Sequence, residues 1–339
     1  MKKVLVIFGS MSSEHEISCI SAGNVLENID NKKYLVTKLG IDKTGKWFEY
    51  NGKVSNIKEN KWLDDSDNKI EIKDIISYLR KFDVVFPVLH GKYGEDGTIQ
   101  GLFEIAKVKY VGCKVLGSSI AMDKICSKIL AQTAGIPIVD YIGLSRLDYE
   151  NDKFDIENLK NQILQKLSYP VIVKPNKEGS SYGVKKVENP NELKEALKYS
   201  FLFDDKVLIE KYIGNRKEVE CAVIEKDGEI YASTPGEIVS ATELYDFDSK
   251  YTNKQSYTKI PADVKNEYLD KIKEYAKVIF KTLNLNGLSR VDFFVSDNNI
   301  YFNEVNTLPG FTSISMYPQM LIHDGISYDK IIETLIENV

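Results

Sequence analysis

The first third of the chain alternates short apolar runs with longer polar or amphipathic stretches. The apolar runs are VLVIFG, YLVTKLGI and VVFPVLHG, and a helix is predicted near Ser18 to Asn28 between the first two. Short buried-type runs that alternate with helical stretches are typical of a parallel sheet covered by helices on both faces. We therefore predict an N-terminal α/β domain over residues 1–119. Ligands bind at the carboxyl ends of such strands, which draws attention to the loops after Phe8 and Leu89.

The middle of the chain has the pattern of a small α+β unit. A helix is predicted from Ser118 through the segment MDKICSKILAQTA, and it stops at Gly135 with a proline two residues later, a common C-terminal signal. A helical region at 158–167, the strand YPVIVKP, a glycine-serine loop, a helix near 192–203 and the strand VLIEKYI follow. We assign residues 120–214 to this subdomain.

The last third predicts a further unit, over residues 215–339. It begins with the strands EVECAVI and EIYAST, continues through a polar loop at 241–257 and a helix at 264–283, and leads to a strand hairpin. The length and polarity of the loop favour a lid. The chain as a whole is therefore predicted to be an α/β protein whose parallel-sheet domain precedes a two-part α+β region.

The final hairpin carries the most informative polar residues, in the segments GLSRVDFFV and IYFNEVNTLPG. Side chains of a strand alternate faces with period two. Arg290 and Asp292 therefore share one face of the first strand. Glu304 and Asn306 share one face of the second. We expect Asp292 to face Glu304 across the hairpin and Arg290 to face Asn306.

This pairing follows if the register joins Ser296 to Ile300. Two facing carboxylates destabilise a sheet unless a proton or a cation neutralises them. The amide oxygen of Asn306 adds a third hard ligand, and Mg²⁺ prefers one or two carboxylates together with substrate phosphates. The hairpin therefore predicts a magnesium-nucleotide site at Asp292 and Glu304. The alternative is a solvated polar face on a surface hairpin.

Composition narrows the class of protein. The chain has 339 residues, 43% of them apolar, and a net charge of −5, which fits a globular enzyme of two or three domains. This charge gives no general reason to bind nucleic acid or an anionic membrane. No apolar run reaches the ~18 residues of a membrane span, and the first apolar run is predicted to be a strand rather than a signal peptide. The four cysteines lack CxxC spacing, so we expect a reduced, cytoplasmic protein without zinc or disulfides.

Two lysines and a glycine-serine loop are candidates for phosphate binding. Lys174 ends a strand and is followed by NKEGSSYG, a loop whose backbone N–H groups can converge on phosphate oxygens although it is not a Walker A motif. Lys124 lies in the first turn of its helix, where the helix dipole disfavours a cation unless an anion is bound. The structural alternatives are an ordinary turn and a solvated lysine paired with Asp123.

Four further residues are candidates for substrate contacts. Glu210 and Glu218 suit an amino group and ribose hydroxyls, with surface carboxylates as the alternative. Glu14 lies just before a helix in GSMSSEHEIS, where helix capping is the alternative. The same loop lacks GxGxxG, which weakens a dinucleotide interpretation. His90 opens a glycine-rich loop after a strand, where a structural histidine is the alternative.

Taken together, the segments of this chain resemble those of the D-alanine:D-alanine ligases, members of the ATP-grasp superfamily. The matching segments are SSEHEIS, LHGKYGEDGTIQG, MDKICSK, VKPNKEGSSYG, VLIEKYI, SKY, SRVDFF and NEVNTLPGFTSISMYP, in family order along the whole chain. The resemblance implies a two-part ATP-grasp fold after the N-terminal domain. It implies an ATP-dependent ligase that joins two D-alanines through a D-alanyl phosphate, for peptidoglycan synthesis, with Mg²⁺ or alternatively Mn²⁺. It also implies a cytoplasmic homodimer.

The resemblance also implies roles for individual residues. Those implied to bind ATP are Lys124, Lys174, Glu178, Gly179, Ser180, Ser181, Glu210, Lys211, Tyr212, Ile213 and Glu218. Those implied to hold magnesium are Asp292, Glu304 and Asn306. Those implied to bind the amino-acid substrates are Glu14, His90, Lys250, Tyr251, Ser315 and Met316. The implied catalytic groups are the linked set Glu14, Ser180 and Tyr251, and the donors Arg290 and Gly310 N–H that stabilise the tetrahedral intermediate.

Several alternatives stay open at this point. The stretch from Glu210 to Glu218 is one residue longer than in some relatives, and Ile314 stands where many relatives carry histidine. The Lys250-Tyr251 pair resembles ligases with an amine acceptor rather than D-lactate, and Met316 resembles D-alanine enzymes, whereas some D-serine relatives carry arginine there. Other interpretations are a D-alanine:D-serine ligase, another carboxylate-amine ligase, a nicotinamide-dependent oxidoreductase and a noncatalytic nucleotide-binding regulator.

Overall fold

The computed structural model describes residues 1–239, 257–296 and 299–339. Most of the predicted lid loop, including Lys250 and Tyr251, lies outside the described residues. No helix in the described ranges is both long enough and apolar enough to cross a membrane.

The N-terminal region contains five strands and four helices. The strands are β1 Lys2–Gly9, β2 Tyr34–Ile41, β3 Trp47–Tyr50, β4 Lys69–Glu71 and β5 Val84–Pro87. The helices are α1 His15–Asn28, α2 Val54–Lys58, α3 Ile75–Leu79 and α4 Thr98–Ala106. The strands form one sheet in the order β4-β3-β2-β1-β5.

The expectation of a parallel N-terminal sheet is met by three adjacent strands, β2, β1 and β5. Strand β1 pairs in parallel with β2 and with β5, whereas β3 and β4 are antiparallel. The physical reason is the short connection after β2, where the backbone of Asp42 bonds to Lys46. A connection of this length can only return antiparallel, since a parallel partner needs a crossover of roughly a dozen residues or more.

The middle region begins with two helices and then forms a small antiparallel sheet. The helices are α5 Val115–Met122, α6 Lys124–Thr133, α7 Arg146–Tyr149, α8 Ile156–Lys166 and α9 Leu193–Ser200. The strands are β6 Tyr141–Ser145, β7 Val171–Pro175, β8 Lys185–Val187 and β9 Lys206–Lys211, in the order β6-β9-β7-β8. The single helix predicted from Ser118 is wrong: the chain breaks at Asp123, which is the C-cap of α5 and the N-cap of α6. Its carboxylate accepts a hydrogen bond from Cys126 N at 3.0 Å, so a new helix begins there.

The C-terminal region forms the third sheet. Its strands are β10 Lys217–Lys226, β11 Glu229–Ala232, β12 Gly236–Val239, β13 Tyr257–Lys259, β14 Leu288–Ser296 and β15 Asn299–Asn306. They run in the order β13-β12-β10-β14-β15, with β11 also paired to β10. The helices are α10 Asn266–Thr282, α11 Met316–His323 and α12 Tyr328–Glu337.

The final hairpin reaches the expected pairing by an unexpected register. Ser296 pairs with Asn299 rather than with Ile300, so the predicted starting register is wrong by one residue. A bulge between Phe302 and Glu304 then restores the alignment. A bulge inserts one extra residue into one strand, here Asn303. The facing pairs Asp292–Glu304 and Arg290–Asn306 are therefore confirmed.

The last helices pack against the N-terminal sheet. One buried core contains β1, β2 and β5 together with apolar residues of α11 and α12. Ion pairs join Lys2 to Glu337 and Lys33 to Glu333, each at 2.7 Å. The loop between β15 and α11 is thereby held against the N-terminal region, and the cavities described below lie at this junction.

The N-terminal core is centred on Trp62, which is fully buried. Its ring packs edge-on against Phe8 at 5.1 Å between centroids and lies parallel to the His15 ring at 6.5 Å. His15 in turn contacts Ser10 O at 2.8 Å and lies next to Glu14. The packing of Trp62 thus supports the loop that carries Glu14.

We predict that Trp62→Ala lowers the free energy of unfolding by about 3–5 kcal/mol, because it removes a large fully buried side chain and leaves a cavity. Denaturant unfolding monitored by circular dichroism measures this loss. Leu35→Ala is the control, since Leu35 is 54% exposed and a surface change of this kind costs about 0.5 kcal/mol or less. Equal losses in the two variants would contradict the packing.

Candidate active site

One face of the C-terminal sheet carries a row of three carboxylates. Glu220 on β10 pairs with Asp292 on β14, which pairs with Glu304 on β15. Residues paired directly across neighbouring strands project to the same face. We call these three residues the carboxylate row. Glu220 was missed by the sequence prediction, although it lies two residues from Glu218 and so shares its face.

Arg290 compensates much of this negative charge. Its guanidinium donates to both oxygens of Asp292, at 2.8 and 2.7 Å, and its Nε lies 2.9 Å from Glu220 Oε2. Burial disfavours the charged form, but Asp292 and Glu220 raise the pKa of Arg290 well above its usual value. Asn306 Nδ2 also donates to Asp292, at 3.0 Å. Arg290 is therefore a permanent cation fixed in the wall of the site.

Lys124 brings a second cation to the same wall. It is the first residue of α6 and is 8% exposed. Its Nζ lies 3.2 Å from Glu304 Oε2 and donates to the carbonyl of Glu178 at 2.7 Å. Lys124 is therefore buried and paired with Glu304, not solvated and paired with Asp123. Lys124 links the carboxylate row to the glycine-serine loop.

A pair of lysines surrounds the buried carboxylate of Glu210. Lys174 Nζ lies 2.6 Å from one oxygen and Lys128 Nζ lies 2.8 Å from the other. Burial works against ionisation, but the two lysines lower the pKa of Glu210 to about 2. Lys174 also donates to Asn303 Oδ1 at 3.4 Å, so the bulge residue contacts this cluster. Glu210 is thus a charged acceptor inside the protein, not a surface carboxylate.

Glu14 and the glycine-serine loop meet across the site. Ser180 Oγ donates to Glu14 Oε1 at 2.6 Å. Glu14 precedes α1 but its side chain makes no capping bond. Gly91 has a φ of +67°, which favours glycine, and a Cβ there would lie 2.4 Å from Glu14 Oε2, so a larger residue would displace the Glu14 carboxylate. The predicted Glu14–Ser180 link is present.

His90 and Glu95 hold both backbone groups of Leu308. His90 Nδ1 lies 2.8 Å from Leu308 O, and its Nε2 lies 3.0 Å from Ser21 Oγ. Glu95 accepts hydrogen bonds from Leu308 N at 2.8 Å and from Gly91 N at 2.9 Å. Burial lowers the pKa of His90, and a neutral Nδ1–H ring fits the acceptor at Leu308. His90 lines the site, and its ring nitrogens fix the loop that leads to Gly310.

Two cavities meet at this wall. The first, of about 150 Å³, is lined by residues that include Glu14, His90, Arg290, Asn306, Gly310, Ser315 and Met316. The second, of about 350 Å³, is lined by residues that include Lys174, Ser181, Glu210, Lys211, Ile213, Glu218 and Asp292. Both are lined by Lys124, Glu178, Gly179, Ser180, Glu220, Arg290 and Glu304. The structure therefore places a small compartment beside a larger one, with cations and carboxylates between them.

One predicted residue has another position, and two lie outside the described ranges. Tyr212 is not among the lining residues; its ring lies under Lys186 Nζ at 4.4 Å and near Arg216 at 5.5 Å. Lys250 and Tyr251 lie outside the described residues. Lys128 and Glu95 were not assigned a function from the sequence, because a lysine on a helix and an acid in a loop have no distinctive spacing. The positions of the other predicted residues bring them to the two cavities.

The environment of Glu95 predicts how the free energy of unfolding depends on pH. Burial and the nearby Glu14 charge raise the pKa of Glu95 from 4.5 to about 7. Between these values the folded chain holds a proton that the unfolded chain has lost, so stability falls as the pH rises from about 4.5 to 7. We predict that Glu95→Gln removes up to roughly 3 kcal/mol of this pH dependence.

Denaturant unfolding of both proteins between pH 4.5 and 8 measures the effect. The matched control is Glu104→Gln, because Glu104 is an exposed residue of the neighbouring helix α4. An unchanged slope of unfolding free energy against pH in Glu95→Gln would show that the pKa of Glu95 is the same in the folded and unfolded chains.

Comparisons with known proteins agree with this arrangement. Two family models match, described as the D-ala D-ala ligase N-terminus over residues 3–113 and the D-ala D-ala ligase C-terminus over residues 130–337. The D-alanine–D-alanine ligase of Acetivibrio thermocellus is 48% identical over 99% of this chain and 95% of its own length. That of Clostridium novyi is 46% identical over 99% of this chain and 97% of its own length.

Solved structures give the same result. The VanG D-Ala:D-Ser ligase from Enterococcus faecalis has a TM-score of 0.88 and 38% identity, over 99% of this chain and 98% of that one. The D-alanine-D-alanine ligase from Coxiella burnetii has a TM-score of 0.83 and 31% identity, over 100% of this chain and 95% of that one. On these matches, which span both ends of the chain, the protein belongs to the D-ala D-ala ligase family and is an ATP-dependent ligase.

Proposed function

We propose that this ligase joins two molecules of D-alanine, with ATP as the energy source, to give D-alanyl-D-alanine, ADP and inorganic phosphate. The observation that carries the proposal is the pair of cavities with a common charged wall. The larger cavity suits a nucleotide and the smaller one suits amino acids. Transfer between two substrates requires their reacting ends to meet, and the common wall supplies that place.

The larger cavity has groups for each part of ATP. Lys124 and Lys174 supply positive charge for the phosphates, and the backbone of the Gly179–Ser181 loop supplies N–H donors. Ser180 and Ser181 have φ values of 48° and 60°, so consecutive residues of this loop adopt the left-handed conformation that favours such anion-binding turns. Glu210 accepts from the adenine amino group beside Lys211, Tyr212 and Ile213, and Glu218 accepts from the ribose.

The residues present also fit Mg²⁺. Asp292 and Glu304 supply two carboxylates on one face, and Asn306 supplies an amide oxygen. Mg²⁺ favours this number of protein oxygens because substrate phosphates and water complete its octahedron. Bound there, the ion would supply charge neutralisation for the phosphates. Mn²⁺ has a similar ligand preference.

The first D-alanine is activated in the smaller cavity. Glu14 binds its ammonium group while Ser180 holds Glu14 in place at 2.6 Å. The substrate carboxylate oxygen attacks the γ-phosphorus of ATP, the bond to the β-phosphate oxygen breaks, and ADP leaves. Lys124 and Arg290 lower the repulsion between two anions that must approach each other. The acyl phosphate is thereby formed beside the wall common to both cavities.

The second D-alanine then attacks the acyl carbon. Its amine nitrogen forms the new bond, phosphate leaves with the bonding electron pair, and the proton lost by the nitrogen passes to the departing phosphate. The carbonyl oxygen becomes an oxyanion, for which Arg290 and the N–H of Gly310 are donors. Losing one such donor costs about 3–4 kcal/mol of barrier. Ser315 and Met316 lie in the same cavity and hold the second substrate.

The remaining parts of the proposal rest on the family. We infer that Tyr251 closes the site against Ser180 and that Lys250 favours an amine acceptor; both are predictions on residues outside the described ranges. We also infer a homodimer in the cytoplasm, acting in peptidoglycan synthesis. D-serine is a second candidate acceptor, since the similar VanG structure is named a D-Ala:D-Ser ligase. Met316, as in D-alanine enzymes, favours D-alanine.

The acceptor is tested by competition. With ATP, Mg²⁺ and an equimolar mixture of D-alanine, D-serine and D-lactate, we expect mass spectrometry to show D-alanyl-D-alanine as the main product. The apolar Met316 side chain offers the hydroxyl of D-serine no hydrogen bond, and an apolar pocket discriminates against an added hydroxyl by only about 100-fold. A main product of D-alanyl-D-serine would overturn the proposed acceptor, and a main depsipeptide product would contradict an amine acceptor.

The metal site is tested by Glu304→Gln. We expect a loss of kcat/KM of roughly 100-fold or more, because one anionic ligand is lost from a charged site. The Mg²⁺ concentration that gives half-maximal activity should rise. Glu157→Gln is the matched control, since the Glu157 side chain is 70% exposed on α8. A lower kcat with an unchanged Mg²⁺ requirement would show that Glu304 acts without binding metal.

A further inference from the structure

Lys128 is a buried cation that the proposed reaction does not use. Its side chain is 0% exposed, and its Nζ lies 2.8 Å from Glu210 Oε1. It lies one helical turn beyond Lys124 on α6, with the ring and carbonyl oxygen of Phe302 as neighbours at 5.9 and 3.4 Å. Burial lowers the pKa of Lys128, whereas the Glu210 charge raises it. The ammonium form of Lys128 therefore depends on its pairing with Glu210.

The charges around Glu210 do not balance among these three residues. One carboxylate lies between two lysines, since Lys174 Nζ is 2.6 Å from its other oxygen. Two positive charges and one negative charge leave a net charge of +1 in the cluster. The two lysines also differ in access. Lys174 lines the nucleotide cavity, whereas Lys128 is not among the lining residues of either cavity.

We propose that Lys128 is a positioning residue that neutralises Glu210 permanently, so that Lys174 can turn from Glu210 to the nucleotide phosphates. In the absence of Lys128, the buried carboxylate would hold Lys174 as its sole lysine partner. Lys174 could then contact phosphate only by leaving an uncompensated buried charge, which is strongly unfavourable. The inference rests on the proposed function, which assigns Lys174 to phosphate and Glu210 to adenine.

The two lysines have different tasks: Lys128 compensates the charge of Glu210, and Lys174 binds the phosphates. One lysine could not do both at once. Glu210 must stay ionised to accept from an amino group, and Lys128 provides the fixed counter-charge. Lys174 reaches Asn303 Oδ1 at 3.4 Å as well as Glu210, so its ammonium group already lies between the buried cluster and the strand that carries Glu304. Lys128 therefore acts on the phosphates through Glu210 and Lys174, and not by contact.

The test compares the affinities of ADP and adenosine by calorimetry at one fixed Mg²⁺ concentration. The ratio of the two affinities reports the contribution of the phosphates alone. We expect Lys128→Met to lower this ratio by about tenfold or more, the scale on which groups behind a ligand contact act. Adenosine affinity should change by less than about threefold, since a factor of three is only about 0.7 kcal/mol. Lys206→Met is the control, because Lys206 pairs with Asp123 at 3.4 Å near the surface.

A second variant separates this role from simple destabilisation. Glu210→Gln removes the charge that Lys128 neutralises, so adding Lys128→Met to Glu210→Gln should leave the affinity ratio unchanged within about threefold. The double variant removes the buried carboxylate and its fully buried lysine partner together, so neither of these two charges is left without the other. A further fall of tenfold in the double variant would show that Lys128 acts independently of Glu210, and would overturn the proposal.

The outcomes also distinguish the proposed function from the role of Lys128. Lys174→Met is measured first, and an unchanged ratio in that variant would overturn the assignment of Lys174 to phosphate, which belongs to the proposed function. If Lys174→Met lowers the ratio but Lys128→Met does not, only the role of Lys128 is overturned. An equal loss of ADP and adenosine affinity in Lys128→Met would also overturn it, because a purely structural role predicts that result.

Discussion

The site depends on one electrostatic constraint: carboxylates on adjacent strands must be compensated by nearby cations. Glu220, Asp292 and Glu304 lie side by side on one sheet face, and like charges in this position repel. Arg290 from the same sheet and Lys124 from α6 provide the compensation. Because the second cation comes from another segment, the sheet, the helix and the glycine-serine loop must pack in one relative position. The packing that compensates these charges is therefore the same packing that brings the two cavities together.

Local patterns predicted much of the fold and several contacts of the candidate site. Period-two alternation and the assumed register placed Asp292 opposite Glu304, although Ser296 pairs one residue out of the predicted register. The pairing is nevertheless the predicted one because the bulge at Asn303 compensates for this one-residue shift. The bulge itself gives no signal in the sequence, since one extra residue is recognised only when both strands are aligned. The roles assigned to individual residues remain predictions.

Other features could not be predicted because they depend on distant segments. The chain breaks at Asp123 although the apolar pattern continues through it. Helix propensity alone does not distinguish two helices from one, because the break depends on the capping bond of Asp123. The sequence does not distinguish Lys128 from other lysines of a helix, because its role depends on contact with Glu210, 82 positions later. The family resemblance implied that His90 lies near the first substrate. His90 lines the smaller cavity, and its bonds to Leu308 and Ser21 also give it a supporting position that the sequence did not predict.

The packing of α11 and α12 on the N-terminal sheet has a consequence for synthesis of the chain. Residues of β1, β2 and β5 are translated before α11 and α12, which supply part of their apolar covering. Until α11 and α12 are made, the nascent protein exposes an incomplete hydrophobic surface, a state prone to aggregation. Removal of α11 and α12 would make that state permanent.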